Sequence, residues 1–540
     1  MKTTPRRGRI SRSIATIAAT AAAMVGAAGL AATAAPAASA DTAAPVTVLD
    51  SAGAAMLQGV GQEQLLCPGG ALQGKVTVAI IEPFLAQASP AAGGCNLADI
   101  KAANPQTKIL AYVNVAAMSP REPASGVFQS SCVSLPDDGS RPSFTVPVGG
   151  NAALLAAMNE TPQTTSGLVH YPDFDWLLLA DTANPDYRTA CASGVKTMLT
   201  TKSTPGVRTA TAPATNFDGV MFDDVNMSPQ HGIDIATVGA YGSWTTDAEY
   251  GDDMNNTVEQ AARAARGVGR AVTLTANVGV TTWAAESDLG RGVNPESHTT
   301  SSTGVQRALT LARLRLDAGT TLETSASPLI DAFIREFSVQ WSMGYPLSNP
   351  ELDSFRGFAQ GVAARNVTVI NHDYSVDLLN TSVGTYSGGG AVSGQPCLLT
   401  ADANRAAIVA AAKTRRTNDQ AFTYALTLAA RTSALRNVAA TVNQAQPSCQ
   451  DAGGAGQATR AESVTTPSVN LADTKVAALA AKLRNGVYAT SGIDPVQGTE
   501  VRTFSLSDGS RLYFNPTTTT VTATVGGVTR SFGPRSVSIG

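Results

Sequence analysis

Short runs of continuous apolar residues recur through the middle of the chain, each bounded by polar, Gly or Pro positions and most followed by a stretch compatible with a helix. Eight of these runs predict strands, at residues 76–81, 109–113, 176–180, 219–222, 272–276, 330–334, 367–370 and 422–426. Strands alternating with helical segments build a parallel sheet. Strands buried on both faces read as apolar throughout, as these do. Eight is the number that closes a (β/α)8 barrel. The doubly wound alternative lacks its marker, because no G-x-G-x-x-G follows the first strand.

The pattern changes toward both ends. Residues 443–470 are rich in Gln, Ala, Gly, Ser, Thr and Pro with little apolar periodicity, which predicts a linker. A helix is expected at 471–484. From Val487 onward, runs of Thr, Val, Tyr and Phe are broken by Asp508-Gly509, Asn515-Pro516 and Gly526-Gly527, which are hairpin turn signals. This predicts a small, separable all-β accessory domain. At the other end Lys2, Arg6, Arg7, Arg9 and Arg12 precede an Ala-rich apolar run that ends at Ala38-Ser39-Ala40, the small-x-small pattern of a signal-peptidase site. Arg6-Arg7 leaves both the general and the twin-arginine export routes open. The expected organisation is a signal peptide over 1–40, a barrel over 41–442, a linker over 443–470 and a β-rich domain over 471–540.

Charge and cysteine content narrow the class. A formal net charge of −3 gives no basic stripe for nucleic acid, and no second apolar stretch is long enough to anchor the mature chain in a membrane. All six cysteines follow the expected leader, and none forms a C-x-x-C pair. An even count in an exported chain points to disulfides. The simplest pairing joins sequence neighbours: Cys67 with Cys95, Cys132 with Cys191, and Cys397 with Cys449.

In a barrel the chemistry sits at the C-terminal ends of the strands. The residues at or just past those ends are Glu82, Asn114, Asp181, Asp223 with Asp224, Asn277, Glu336, and Asn371-His372-Asp373. Asp and Asn also favour turns, so two places stand out by their layout. Asp218-Gly-Val-Met-Phe-Asp223 and Asp331-Ala-Phe-Ile-Arg-Glu336 each set an acid where a strand begins and another where it ends. The two acids of each motif lie about 16 Å apart, so each motif presents one carboxylate at the barrel top. Two carboxylates across a barrel mouth match the needs of glycosidic cleavage, one to protonate the leaving oxygen and one to act as nucleophile or base. Their roles depend on separation and desolvation, so retention and inversion both stay open.

Phe217-Asp-Gly-Val-Met-Phe-Asp-Asp224, Lys108-Ile-Leu-Ala-Tyr-Val-Asn114, Leu179-Ala-Asp-Thr-Ala-Asn-Pro-Asp-Tyr-Arg188 and Ile330-Asp-Ala-Phe-Ile-Arg-Glu336 together resemble a family of bacterial glycoside hydrolases labelled glycosyl hydrolase-like family fifteen. That family is distinct from the glucoamylases and distantly similar to the endo-α-1,4-polygalactosaminidases. The resemblance spans roughly residues 76–430, and Arg511-Leu-Tyr-Phe-Asn-Pro516 is similar to a strand of the small β domains appended to such barrels. It implies a TIM barrel, hydrolysis of O-glycosidic bonds, and catalytic acids after the fourth and sixth strands, at Asp223 and Glu336. Ala332 departs from the pattern, where relatives often carry Gly.

Asn114, Asp181, Asp224, Asn277, His372 and Tyr374 are candidate ligands for sugar hydroxyls, and Trp244, Trp283 and Trp341 are candidate stacking platforms or core residues. Strand alternation turns Asp224 away from the mouth when Asp223 faces it. The acidic stretch 247–253 lacks the spacing of a calcium loop, and no metal or cofactor is expected. The expected function is a secreted glycosidase acting on an extracellular or cell-wall polysaccharide. Two rivals share the sequence features: a barrel that binds glycan without cutting it, and a surface protein whose β domain is the working part. Thiol titration of the denatured protein should find no free cysteine, and reduction should lower stability by roughly 2–4 kcal/mol per bridge. Several free thiols would remove the disulfide framework.

Overall fold

The computed structural model describes the chain mainly over residues 54–57, 66–81, 95–120, 131–135, 141–160, 167–203, 214–226, 243–278, 329–336, 368–372, 405–443 and 473–540, with isolated positions between them. The expected leader, Glu82, Asp373, Tyr374, Trp283, Trp341, the Cys397–Cys449 pair, most of the linker and the side chains of Glu336 and His372 lie outside the described residues. The strands among the described residues, numbered in chain order, are β1 (Ala54–Leu57), β2 (Val78–Ile81), β3 (Lys108–Asn114), β4 (Ala117–Pro120), β5 (Ser134–Leu135), β6 (His170–Tyr171), β7 (Phe174–Leu179), β8 (Gly219–Val225), β9 (Thr273–Val278), β10 (Ala332–Glu336), β11 (Thr368–His372), β12 (Val438–Asn443), β13 (Asp494–Pro495), β14 (Arg502–Ser505), β15 (Arg511–Asn515), β16 (Val521–Val525), β17 (Val528–Phe532) and β18 (Ser536–Ile539).

Strands β1, β2, β3, β8, β9, β10, β11 and β12 pair in that order, and β12 returns to β1, closing an eight-stranded barrel. Every one of the eight ladders is parallel. Alternation along the strands divides their side chains. Val78, Ile80, Leu110, Tyr112, Met221, Ala332, Ile334, Ile370 and Ala439 form one buried cluster that fills the barrel, while the intervening residues join the core shared with the helices.

Two of the expected strand runs are not barrel staves. Residues 176–180 fall in and after β7, in a separate four-stranded sheet of order β5-β4-β7-β6 that follows directly from the end of β3. The run is apolar because that sheet is itself buried against the barrel's core. Residues 422–426 lie inside the helix Arg405–Ala430. Every residue from 421 to 430 is buried, since the barrel packs on one side of this helix and the C-terminal module on the other. A short run buried all round carries no period by which to tell helix from strand. The two staves that the apolar pattern does not single out, β1 and β12, are short, Ala-containing segments, and they pair with each other to close the barrel.

The strand-entry acids hold the barrel bottom. Asp218 accepts the backbone N–H of Ile109 at 2.7 Å and pairs with Lys101 of the helix Leu97–Ala103. Asp331 accepts the N–H of Leu274 at 2.7 Å and pairs with Arg266 of the helix Asp247–Arg266 at 2.8 Å. Each acid thus ties its strand to the preceding barrel strand and to the helix that leads into that preceding strand. Gly219 follows for a steric reason, because a Cβ there would stand 1.8 Å from the carbonyl oxygen of Thr273 on β9.

Disulfides join Cys67 to Cys95 and Cys132 to Cys191. The second bridge pins the segment after β4 to the helix Pro185–Thr200, and at Gly194 of that helix a Cβ would meet the Cys132 carbonyl at 2.0 Å. That helix begins with Asn184 as cap and Pro185 in its first turn. Among the described residues no helix is long and apolar enough to cross a membrane.

The C-terminal module comprises the helix Thr474–Arg484, the sheet β13-β14-β15-β18 and the hairpin β16–β17. Its core is continuous with that of the barrel. Phe514 packs between Phe504 and Phe422, with ring centroids at 5.4 and 5.5 Å. The buried Arg431 donates to the carbonyls of Val438 on β12 and Leu483 on the module's helix, each at 2.7 Å. The module is therefore seated on the barrel rather than hung from it. Phe514→Ala should lower stability by about 3–5 kcal/mol and leave a single urea transition for barrel and module. A barrel transition that stays in place while the module unfolds early would contradict the shared core.

Candidate active site

The residues that the sequence places at the strand ends meet at the C-terminal rim between β3, β8 and β9. Asn114 and Asp223 are register partners across the β3–β8 ladder. Asp223 follows Met221 in the inward phase of β8, Tyr112 occupies the inward phase of β3, and Asn277 that of β9. Tyr112 donates its hydroxyl to one oxygen of Asp223, and Asn277 donates its amide to the other at 2.6 Å. Asp223 as a whole residue is 7% exposed.

The strand breaks its regular pattern at this point. The β8–β9 register shifts between Phe222 and Val225, and Asp224 adopts a left-handed conformation with φ of 54°. Asp is among the few residues other than Gly that tolerate this region. A bulge of this kind re-aims side chains and is common beside functional sites. Asn226 closes the bend by donating its N–H to the Asp224 carbonyl at 2.7 Å. Asn114 has its Oδ1 engaged by the N–H groups of Ala116 and Ala117 at 2.9 and 3.0 Å, which leaves its amide nitrogen to donate to the Asp224 carboxylate.

Burial raises the pKa of Asp223 from 3.8 to about 7, and the charge of Asp224 adds to the rise, while the hydrogen bonds from Tyr112 and Asn277 work against it. The same charge is felt on the outer side of the barrel. Burial and then neighbouring charge and phenols, Asp224 among them, push Tyr171 and Tyr250 well above the usual phenol range. At neutral pH Asp223 is thus a carboxyl group poised between its protonated and ionised forms, beside a second carboxylate. That is the electrostatic setting of a proton donor.

No protein-family model and no curated protein matches the chain in sequence. Among solved structures, the chain is similar to a debranching enzyme from Nostoc punctiforme at 8% identity, covering 91% of this chain and 98% of that one, with a TM-score of 0.36. It is also similar to α-amylase I from Eisenia fetida, at 9% identity over 87% and 85% of the two chains with a TM-score of 0.38. A β-L-arabinopyranosidase of family GH27 from Geobacillus stearothermophilus shares 11% identity over 91% and 95%, with a TM-score of 0.36. The barrel itself rests on the closed hydrogen-bond ladder, and the chemistry on the residues at its rim.

The other sequence candidates fall in different places. Glu336 closes β10 opposite His372 on β11, two residues beyond Ile334, the register partner of Asn277. Asp181 follows β7, outside the barrel ladder, where it accepts the N–H of Ala183 at 3.1 Å and the hydroxyl of Ser243 at 2.8 Å; it shapes the approach to the helix Pro185–Thr200. Asn371 turns outward and donates to Thr423 and Thr427 of the long helix, each at 3.4 Å. Trp244 is fully buried and edge-on to Tyr250 at 4.9 Å, so it is core and not a platform. Tyr112 and Asn226 join the site without having been singled out, although Tyr112 shares the strand phase of Asn114. Among the described residues no group of three or more His, Cys, Asp or Glu is placed to hold a metal ion.

The raised value of Asp223 makes stability depend on pH. A carboxyl group whose folded-state pKa lies above its unfolded value contributes stability that is fully present below about pH 4 and lost as pH rises through about 7. The loss is roughly 1.4 kcal/mol for each pH unit crossed. Asp223→Asn should therefore flatten the decline in urea midpoint between pH 5 and pH 8 and leave the variant more stable than the parent at pH 8. Parallel declines in the two proteins would show that Asp223 keeps an ordinary pKa.

Proposed function

We propose that the chain is a secreted glycoside hydrolase that cleaves O-glycosidic bonds of an extracellular or cell-wall polysaccharide, with Asp223 as proton donor and Glu336 as the partner carboxylate. The observation that carries this reading is the buried carboxyl group at the C-terminal rim of the barrel, lifted to about 7 by burial and by Asp224. A glycosidic oxygen is a poor leaving group until protonated, and a donor with a pKa near the working pH is best matched to that task. The rim is also where catalytic groups of such barrels gather.

In this scheme Asp223 transfers its proton to the departing oxygen, and the hydrogen bonds from Tyr112 and Asn277 hold the carboxylate that remains. Glu336, on the sixth barrel strand, acts on the anomeric carbon directly or through water. A carboxyl separation of about 5–5.5 Å would give retention and one of about 6.5–9.5 Å inversion. Asn277, with His372 and Tyr374, is proposed to orient sugar hydroxyls, while the buried Asn114 is committed to Ala116, Ala117 and Asp224. Export is supported by the basic, Ala-rich leader of the sequence and by the Cys67–Cys95 and Cys132–Cys191 bridges. The resemblance of the strand-end motifs to glycosyl hydrolase-like family fifteen points the same way.

Release of reducing ends from a panel of bacterial and plant polysaccharides tests the reading. At least one should be cleaved, and Asp223→Asn and Glu336→Gln should each lose roughly 10²- to 10⁴-fold in rate. Binding without cleavage across the panel, or cleavage that survives Asp223→Asn, would set the reading aside.

A further inference from the structure

We propose that Asp224 is a positioning residue, an anion fixed in the left-handed bend of β8 so that its charge keeps the proton on Asp223. The inference rests on the reading of Asp223 as proton donor, but it concerns a different residue and a different measurement.

Three features of the backbone and its partners carry it. The register shift at the end of β8 and the φ of 54° at Asp224 keep two consecutive carboxylates at one rim, where an ordinary strand would send the second away without constraint. Asn114 is oriented by two backbone N–H groups so that only its donor end is available to Asp224. Asn226 adds a second amide, 3.4 Å from the other carboxylate oxygen. Amide N–H groups stabilise the ionised form of a carboxylate, and Asp224 remains partly open to solvent while Asp223 is buried. Of two neighbouring acids, the one that is solvated and given donors ionises first, and its charge then opposes ionisation of the other.

Among the described residues, the titratable groups facing the pair are phenols on three sides. Tyr112 on β3 donates to Asp223. Tyr171 on β6 and Tyr250 on the helix Asp247–Arg266 sense the charge of Asp224, and Tyr187 on the helix Pro185–Thr200 lies beside those two. On the remaining side Glu336 and His372 end the strands β10 and β11. Neutral phenols add no charge, so among the described residues Asp224 is the charged group whose removal should change the proton affinity of Asp223 most.

The test is a pH titration of the full chain carrying 13C-carboxyl aspartate, with the Asp223 resonance assigned by its absence from Asp223→Asn. In the parent protein Asp223 should titrate near neutrality. In Asp224→Asn its proton affinity should fall by about tenfold or more, while burial keeps it above that of an exposed aspartate. Asp224→Gly provides the same loss of charge with a residue that adopts the left-handed bend freely, so a folding defect of one variant leaves the other to decide. An Asp223 midpoint unchanged or raised in either folded variant would overturn the proposal. The titration needs no substrate, so a chain that cleaves nothing on the polysaccharide panel yet shows the shift would sink the hydrolase reading and keep the role of Asp224.

Discussion

Asp223 is held at the rim of an apolar barrel with 7% of its surface open and a second carboxylate next to it in sequence, and much of the local structure exists to make that arrangement tolerable. Burying an unpaired charge is costly enough that a group in this setting changes its protonation state instead. The hydrogen bonds from Tyr112 and Asn277 satisfy both oxygens of Asp223, and the bend at Asp224 lets Asn114 take the neighbouring charge. Strand β3 is bound into the same problem, since Tyr112 serves one acid and Asn114 the other. A change to either residue would be felt at both carboxylates.

The opposite end of the barrel uses the same residue type for the opposite purpose. Asp218 and Asp331 stand one strand-length below the rim, and each has a backbone N–H and a helix-borne cation as partners. These contacts tie strand to strand and strand to helix. Asp223 at the top has a hydroxyl and an amide as its donors instead, and burial lifts its pKa far above the ordinary carboxylate value. The C-terminal module adds rigidity away from the rim, through Phe514 against Phe422 and Arg431 between β12 and the module's helix.

The strand ends were legible in the sequence because motif and period agree there. Asp218-Gly-Val-Met-Phe-Asp223 predicts a stave with an acid at each end, and β8 is that stave. The number of staves and the fourth and sixth places of β8 and β10 also stand, although by compensation. The run at 176–180 counts as a stave in the sequence and belongs to a side sheet, while β1, ahead of the first expected strand, supplies the missing one. The run at 422–426 is helical because it is buried between barrel and module, an environment set by residues far along the chain. Asp224 is the instructive position within the site. Alternation treats it as a bystander, but the register shift that gives it a role is not written in apolar periodicity, and the left-handed backbone there is only permitted, not required, by an aspartate. Tyr112 was within reach of the same alternation that marks Asn114.

The most direct test of the account is the pH dependence of kcat/KM on whichever polysaccharide the protein cleaves, since it ties the buried acid to the chemistry. With Asp223 as the proton donor, the rate should fall roughly tenfold per pH unit above about 7, as the acid loses its proton. A rate that is flat from pH 5 to 9, or that rises through neutrality, would mean that Asp223 is not the donor.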